Sequence, residues 1–134
     1  MKQGLYLYTD EKGTKRWNLK NGQPHREDGP AVEYSDGTYE WFLRGERHRT
    51  DGPALELKNG EKRWYQRNQL HRTDGPAKEY PNGTKKWYQR GQPHRTDGPA
   101  LEHPHGKMKW YLNGKEYTKS EWQGEMHRMT MEIL

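Results

Sequence analysis

His48-Arg49-Thr50-Asp51-Gly52-Pro53-Ala54-Leu55-Glu56-Leu57-Lys58-Asn59-Gly60 decides the fold, because its parts return in step along the chain. The run His-Arg-x-Asp-Gly-Pro-Ala begins at His25, His48, His71 and His94, a fixed interval of 23 residues. In phase with it recur Glu33, Glu56, Glu79 and Glu102, then Gly37, Gly60, Gly83 and Gly106, then Trp41, Trp64, Trp87 and Trp110. A further position holds Gly45, Asn68, Gly91 and Gly114. Such a period marks a repeat protein, in which each unit buries its apolar face only against its neighbours.

Within the unit, short alternating runs flank Asn59-Gly60, which reads as a β-hairpin closed by a two-residue type I′ turn. Asp36-Gly37, Asn82-Gly83 and His105-Gly106 stand at the same place. A two-residue turn sets Val32 opposite Trp41, Leu55 opposite Trp64, Lys78 opposite Trp87 and Leu101 opposite Trp110. On the other face it sets Glu56 against Arg63, Glu79 against Lys86 and Glu102 against Lys109, with Glu33 facing Glu40 as the exception. Ala54, Ala77 and Ala100 then face Tyr65, Tyr88 and Tyr111.

A second turn follows at Arg44-Gly45, Arg67-Asn68, Arg90-Gly91 and Asn113-Gly114, where Gly or Asn tolerates positive φ. Counting outward brings His48 beside Trp41, His71 beside Trp64 and His94 beside Trp87, with Tyr117 in the His place of the last copy. Asp-Gly-Pro then turns the chain into the next unit. Upstream, a turn at Lys12-Gly13 sets Tyr8 opposite Trp17, so residues 4–24 form an atypical first hairpin with one extra residue after Trp17. Downstream, Thr118-Lys-Ser-Glu121 is a capping box, and Trp122, Met126, Met129 and Ile133 share a helical face, predicting a capping helix over 118–134. The reading is therefore mainly β, a single repeat domain over 1–134: the hairpin 4–24, repeats over 25–117 and the helical cap.

Composition agrees with a thin structure. Only 28% of residues are hydrophobic, yet six Trp and nine Tyr are placed periodically, so stacked rings can replace a thick aliphatic core. Cysteine is absent, which excludes disulfides, thiolate metal sites and a thiol nucleophile. No apolar run has the length of a signal peptide or a membrane span, and the expected location is cytoplasmic. The net charge of +5 leaves anionic partners open.

The pattern Gly-x-x-x-Trp-Tyr-x-x-Gly-x-x-His followed by Asp-Gly-Pro-Ala-x-Glu resembles the variant MORN repeats, especially the His-Arg-x-Asp-Gly-Pro-Ala form of uncharacterised bacteriophage and giant-virus proteins. The likeness covers roughly residues 25–117, with an echo over 4–24. It implies an elongated, twisted single layer of stacked antiparallel hairpins that serves as a binding or assembly module. The better-known Tyr-x-Gly-x-Trp start is missing, and the pattern supplies no catalytic residue to carry over.

His25, His48, His71 and His94 with Asp28, Asp51, Asp74 and Asp97 are types that bind metals and carry protons. Their presence in every copy favours a structural role, His on the Trp ladder and Asp capping the turn and pairing with the Arg two residues earlier, since a catalytic site is singular. Ser35 and Ser120 join no His-Asp arrangement, and His103-Pro104-His105 supplies too few ligands for a structural metal. No metal, cofactor or catalytic residue is expected. Two arginine columns are the candidate ligand sites: Arg26, Arg49, Arg72 and Arg95, and at the second turns Arg44, Arg67 and Arg90. Interleaved with Tyr65, Tyr88 and Tyr111, they suit phosphates and stacked bases, and the alternative is that each Arg pairs with the local Asp and Glu and keeps a thin sheet soluble. The expectation is a non-enzymatic phage or viral protein that engages a nucleotide, a nucleic acid or a host protein in the host cytoplasm, counter-defence included. The alternative is a structural or immunity-type module that acts through protein contacts or self-association.

Overall fold

The computed structural model of the chain describes residues 4–133. Leu134 and the side chain of Ile133, both assigned above to the helical cap, lie outside the described residues. The fold is mainly β, built of short antiparallel strands with a helix after them. The chain divides into two compact units, Met1–Gln69 and Leu70–Leu134.

The first unit holds β1 (Tyr6–Thr9), β2 (Lys15–Asn18), β3 (Val32–Glu33), β4 (Tyr39–Glu40), β5 (Phe42–Leu43), β6 (Glu46–Arg47), β7 (Leu55–Glu56), β8 (Lys62–Arg63) and β9 (Tyr65–Gln66). Its main sheet runs β1-β2-β3-β4-β7-β8, while β5 and β6 form a separate small hairpin. The strand β10 (Gln69–Leu70) straddles the border of the units. The second unit repeats the scheme with β11 (Lys78–Glu79), β12 (Lys85–Lys86), β13 (Tyr88–Gln89), β14 (Gln92–Pro93), β15 (Leu101–Glu102), β16 (Met108–Leu112) and β17 (Lys115–Tyr117). Its main sheet runs β11-β12-β15-β16-β17, and β13 pairs with β14 beside it.

The first turn is not the type I′ turn expected. In the β7–β8 hairpin Leu57 N–H donates to Glu61 O at 2.9 Å and Gly60 N–H to Leu57 O at 2.9 Å, so the loop has three residues. Only Gly60 has positive φ, at +96°, which is a type I turn followed by a left-handed glycine. The Asn59 side chain ties this turn by accepting from Glu61 N–H at 2.9 Å, as Asp36 does for Thr38 and Asn82 for Thr84. Asn-Gly suits either turn, and the longer one moves every pairing by one residue.

The expected Trp pairings and cross-strand Glu pairs are therefore corrected. Val32 faces Glu40, Leu55 faces Arg63, Lys78 faces Lys86 and Leu101 faces Lys109. Glu33 faces Tyr39, Glu56 faces Lys62, Glu79 faces Lys85 and Glu102 faces Met108, and the pairing of Ala54, Ala77 and Ala100 with Tyr65, Tyr88 and Tyr111 goes with the same shift. In the first hairpin Trp17 faces Leu7, and Tyr8 faces Arg16.

Type I′ geometry sits instead at the second turns. Arg44 and Gly45 have φ of +48° and +82°, Arg67 and Asn68 of +47° and +67°, Arg90 and Gly91 of +52° and +78°. Here the expected register holds: Phe42 faces Arg47 and Tyr88 faces Pro93, which brings His48 beside Trp41 and His94 beside Trp87, and Trp110 faces Tyr117. The extra residue after Trp17 enlarges the first copy of this turn to Lys20-Asn21-Gly22, closed by Leu19 N–H to Gln23 O at 2.8 Å, and His25 still meets Trp17.

Trp41, Trp64 and Trp87 are where the chain passes from the main sheet to a small hairpin. Trp41 N–H donates to Ala54 O at 2.7 Å, and Trp41 O accepts from His48 N–H at 3.2 Å. Trp17 and Trp87 make the same two bonds with Ala31 and His25, and with Ala100 and His94. The buried apolar set is small: Ala31, Ala54, Ala77, Ala100, Val32, Leu55 and Leu112. In the second unit α1 (Lys119–Ile133) packs on β16 and β17. Its capping box is reciprocal, with Glu121 N–H donating to Thr118 Oγ1 at 3.1 Å and Thr118 N–H to Glu121 Oε1 at 2.8 Å.

Gly37 tests the turn assignment cleanly, because its φ is +94° and a Cβ there would meet nothing within 4 Å. Gly37→Ala is expected to lower the unfolding free energy in urea by about 1–2 kcal/mol through backbone strain alone, and Gly37→Asn by clearly less. Equal stability of the Ala variant and the parent contradicts the assignment.

Candidate functional site

The repeated motif closes around its arginine. The guanidinium carbons of Arg26, Arg49 and Arg95 lie 4.0, 3.9 and 3.7 Å from the ring centroids of Trp17, Trp41 and Trp87. The Asp-Gly-Pro turn brings an Asp carboxylate and a Pro carbonyl to each guanidinium, and in three copies the recurrent Glu joins them. For Arg95, Nε donates to Asp97 Oδ1 at 2.7 Å, and Nη1 donates to Pro99 O at 3.0 Å and Glu102 Oε1 at 2.9 Å. Arg26 and Arg72 repeat all three bonds, with Asp28, Pro30 and Glu33, and with Asp74, Pro76 and Glu79. Arg49 bonds Asp51 and Pro53 O.

The motif glycine is the other wall. A Cβ at Gly29, Gly52, Gly75 or Gly98 would come within 2.7, 2.8, 2.9 or 2.8 Å of the guanidinium carbon of Arg26, Arg49, Arg72 or Arg95. None of these glycines needs a positive φ, so the close arginine, not backbone geometry, excludes a side chain. The four arginine side chains are 23, 21, 22 and 18% exposed. This column thus serves as packed core. The recurrent Glu binds the motif Arg in three copies, not the cross-strand cation expected above.

The motif histidine has an equally definite partner. Nδ1 of His25, His48, His71 and His94 accepts the backbone N–H of Arg44, Arg67, Arg90 and Asn113 at 2.9, 3.1, 3.0 and 3.0 Å. Each acceptor lies one repeat before its donor, so the ring pins the first residue of the following type I′ turn. A neutral ring must therefore carry its hydrogen on Nε2. Burial holds His94 below the usual histidine range. Asp51 and Asp74 are held below the usual carboxylate range by their hydrogen bonds to Arg49 and Arg72 and by the charge of those arginines.

The outer column is placed differently. Arg44, Arg67 and Arg90 are exposed. Among the described residues their guanidinium groups take part in no hydrogen bond or ion pair, and only their backbone N–H groups are engaged. In the first unit Arg44 and Arg67 line an open groove of about 400 Å³ with His25, His48, Leu43, Glu27 and Glu46. The tyrosines are half-buried, and cations already cover two of them: Arg47 lies 5.7 Å from the Tyr65 ring and Lys78 Nζ 5.6 Å from the Tyr88 ring. Tyr111 offers its backbone O to Arg95 N–H at 3.2 Å.

Among the described residues no three His, Asp or Glu side chains converge on a common point to hold a metal. His103 Nδ1 lies 3.4 Å from Thr84 Oγ1, and His105 is exposed in its turn. Sequence reasoning missed Thr14, Thr38 and Thr84, which are buried just after the first turns. Thr14 Oγ1 accepts from Ser35 N–H at 3.4 Å and Thr38 Oγ1 from Lys58 N–H at 3.2 Å, linking each first turn to the next. Their recurrence after the turn glycine was the available signal.

The lowered His94 sets a pH dependence with a definite sign. With a folded pKa below the unfolded value of about 6.5, its contribution is complete above that pH and is lost as pH falls through the folded value. Asp51 and Asp74 act only below about pH 4, outside this window. Thermal unfolding scans are expected to show falling stability from pH 7 to 5, and ¹⁵N spectra to show His94 as the Nε2–H tautomer titrating below pH 6.5. A hydrogen on Nδ1, or titration above 6.5, contradicts the assignment.

Compared with known proteins, the chain matches no protein-family model, no curated protein and no solved structure.

Proposed function

We propose that this chain is a non-enzymatic binding module that engages an anionic partner, a nucleotide, nucleic acid or acidic protein face, through the arginines of its second turns. The observation that carries this reading is a residue choice that the backbone disfavours. The first position of a type I′ turn requires positive φ and suits Asn, Asp or Gly, and Asn113 fills it in the last copy. Arg44, Arg67 and Arg90 hold it at φ of +48°, +47° and +52°, where a side chain of that kind costs about 1 kcal/mol. A position that opposes local preference in three copies, and whose side chain forms no ion pair among the described residues, fits selection for a partner.

The turns suit the task because His Nδ1 and the neighbouring hairpin hold their backbones, leaving only side chains to order on binding. The motif arginines are already engaged by their Asp and Pro partners, so the reading rests on the outer column. Chemistry that recurs once per repeat fits multivalent contact better than a single catalytic centre. On the repeat resemblance we extend the reading to a phage or viral protein that acts in a host cell.

Replacing Arg44, Arg67 and Arg90 together by Asn separates binding from folding. The variant is expected to keep or raise the parent's melting temperature, while heparin and RNA retention, strong in low salt and lost as salt rises, disappears. Retention that survives in the triple variant, or that is indifferent to salt in the parent, overturns the proposal.

A further inference from the structure

The first strand carries a second surface, independent of the anion-binding reading. In the order of the first unit's sheet β1 stands at the end, and among the described residues its one strand partner is β2. Leu5, Tyr6, Leu7 and Tyr8 are 39, 60, 57 and 59% exposed, so both faces of the strand present large apolar side chains to solvent. The stretch Gly4–Thr9 contains no charge and no proline, in a chain of which 32% is charged. Edge strands are ordinarily guarded by such residues, and an unguarded one is a template for pairing.

The free edge has a definite hydrogen-bonding pattern. Asp10 N–H donates to Thr14 O at 3.0 Å, which makes that pair, and by alternation Tyr8 with Arg16 and Tyr6 with Asn18, the bonded pairs of the hairpin. Leu7 and Thr9 then turn their N–H and C=O groups away from β2. Trp17 opposite Leu7 agrees, since its own N–H goes to Ala31 O on the β3 side at 2.8 Å.

We propose that β1 pairs with β1 of a second copy, antiparallel about a twofold axis at Leu7. That register joins Leu7 to Leu7 through the outward backbone groups and sets the outward groups of Leu5 against those of Thr9 in both directions. It places Tyr6 of one copy opposite Tyr8 of the other on one face, a cross-strand aromatic pair formed twice. The strand is self-complementary and uncharged, so two molecules of net charge +5 meet where neither presents a like charge. An isologous contact of this kind closes at two copies.

The test uses the full chain and two substitutions at one exposed position. Light scattering is expected to give about twice the 16.0 kDa monomer mass, and Leu7→Lys to return a monomer that keeps the parent's circular dichroism spectrum and loses the concentration dependence of its melting temperature. The parent has no cysteine, so Leu7→Cys puts a single thiol opposite its copy at about 5.5 Å between Cα atoms, within disulfide reach. Mild oxidation is expected to give a reducible dimer with Leu7→Cys and not with Ser35→Cys in the exposed turn of another hairpin. A monomeric parent, an assembly larger than a dimer, a dimer that survives Leu7→Lys, or equal cross-linking at both cysteines overturns the proposal.

Discussion

A guanidinium pressed between an indole ring and a glycine backbone is the constraint on which the rest of the molecule depends. The buried apolar side chains are few and mostly alanine, so a repeat cannot be held by aliphatic burial alone. Arginine substitutes for a core residue: its plane covers the Trp face, its stem packs, and its donors reach the Asp, the Pro carbonyl and, in three copies, the Glu. These contacts explain the motif letter by letter. Asp and Glu neutralise the charge, Gly makes room for it, Pro turns the chain so that its carbonyl faces inward, and Ala fits the closed space beneath. Lysine offers neither the plane nor the fork.

The histidine extends the same unit to the next repeat. His lies beside Trp across the small hairpin, and its Nδ1 holds the following type I′ turn. Thr14 and Thr38 hydroxyls tie first turns to the next hairpin, and His ties the second turns. Side-chain to backbone bonds, spaced by the repeat, do much of what a thick core does elsewhere.

Much of this was legible in the sequence. The period, the hairpins, the pairing of His48 with Trp41, the odd first unit and the Thr118 capping box all follow from residue spacing. The first-turn register did not, because Asn59-Gly60 serves a two-residue or a three-residue loop equally well, and the deciding Asn59 to Glu61 bond is visible only in the folded turn. Nor did the burial of Arg95. Charged residues are ordinarily outside, and beyond Asp97 its partners at intervals of four and seven residues converge only once Asp-Gly-Pro has bent the chain. The two arginine columns looked alike in sequence. Structure separates them into one that is core and one that is exposed at strained turns.

The stack itself is tested most directly by a double-mutant cycle at Arg49 and Gly52, measured by urea unfolding. Gly52→Ala in the parent is expected to cost about 1–3 kcal/mol by driving a methyl group into the guanidinium. In an Arg49→Ala background the same change is expected to be nearly neutral, giving a coupling above about 1 kcal/mol. Strictly additive effects, with Gly52→Ala costing the same whether or not Arg49 is present, would contradict the account.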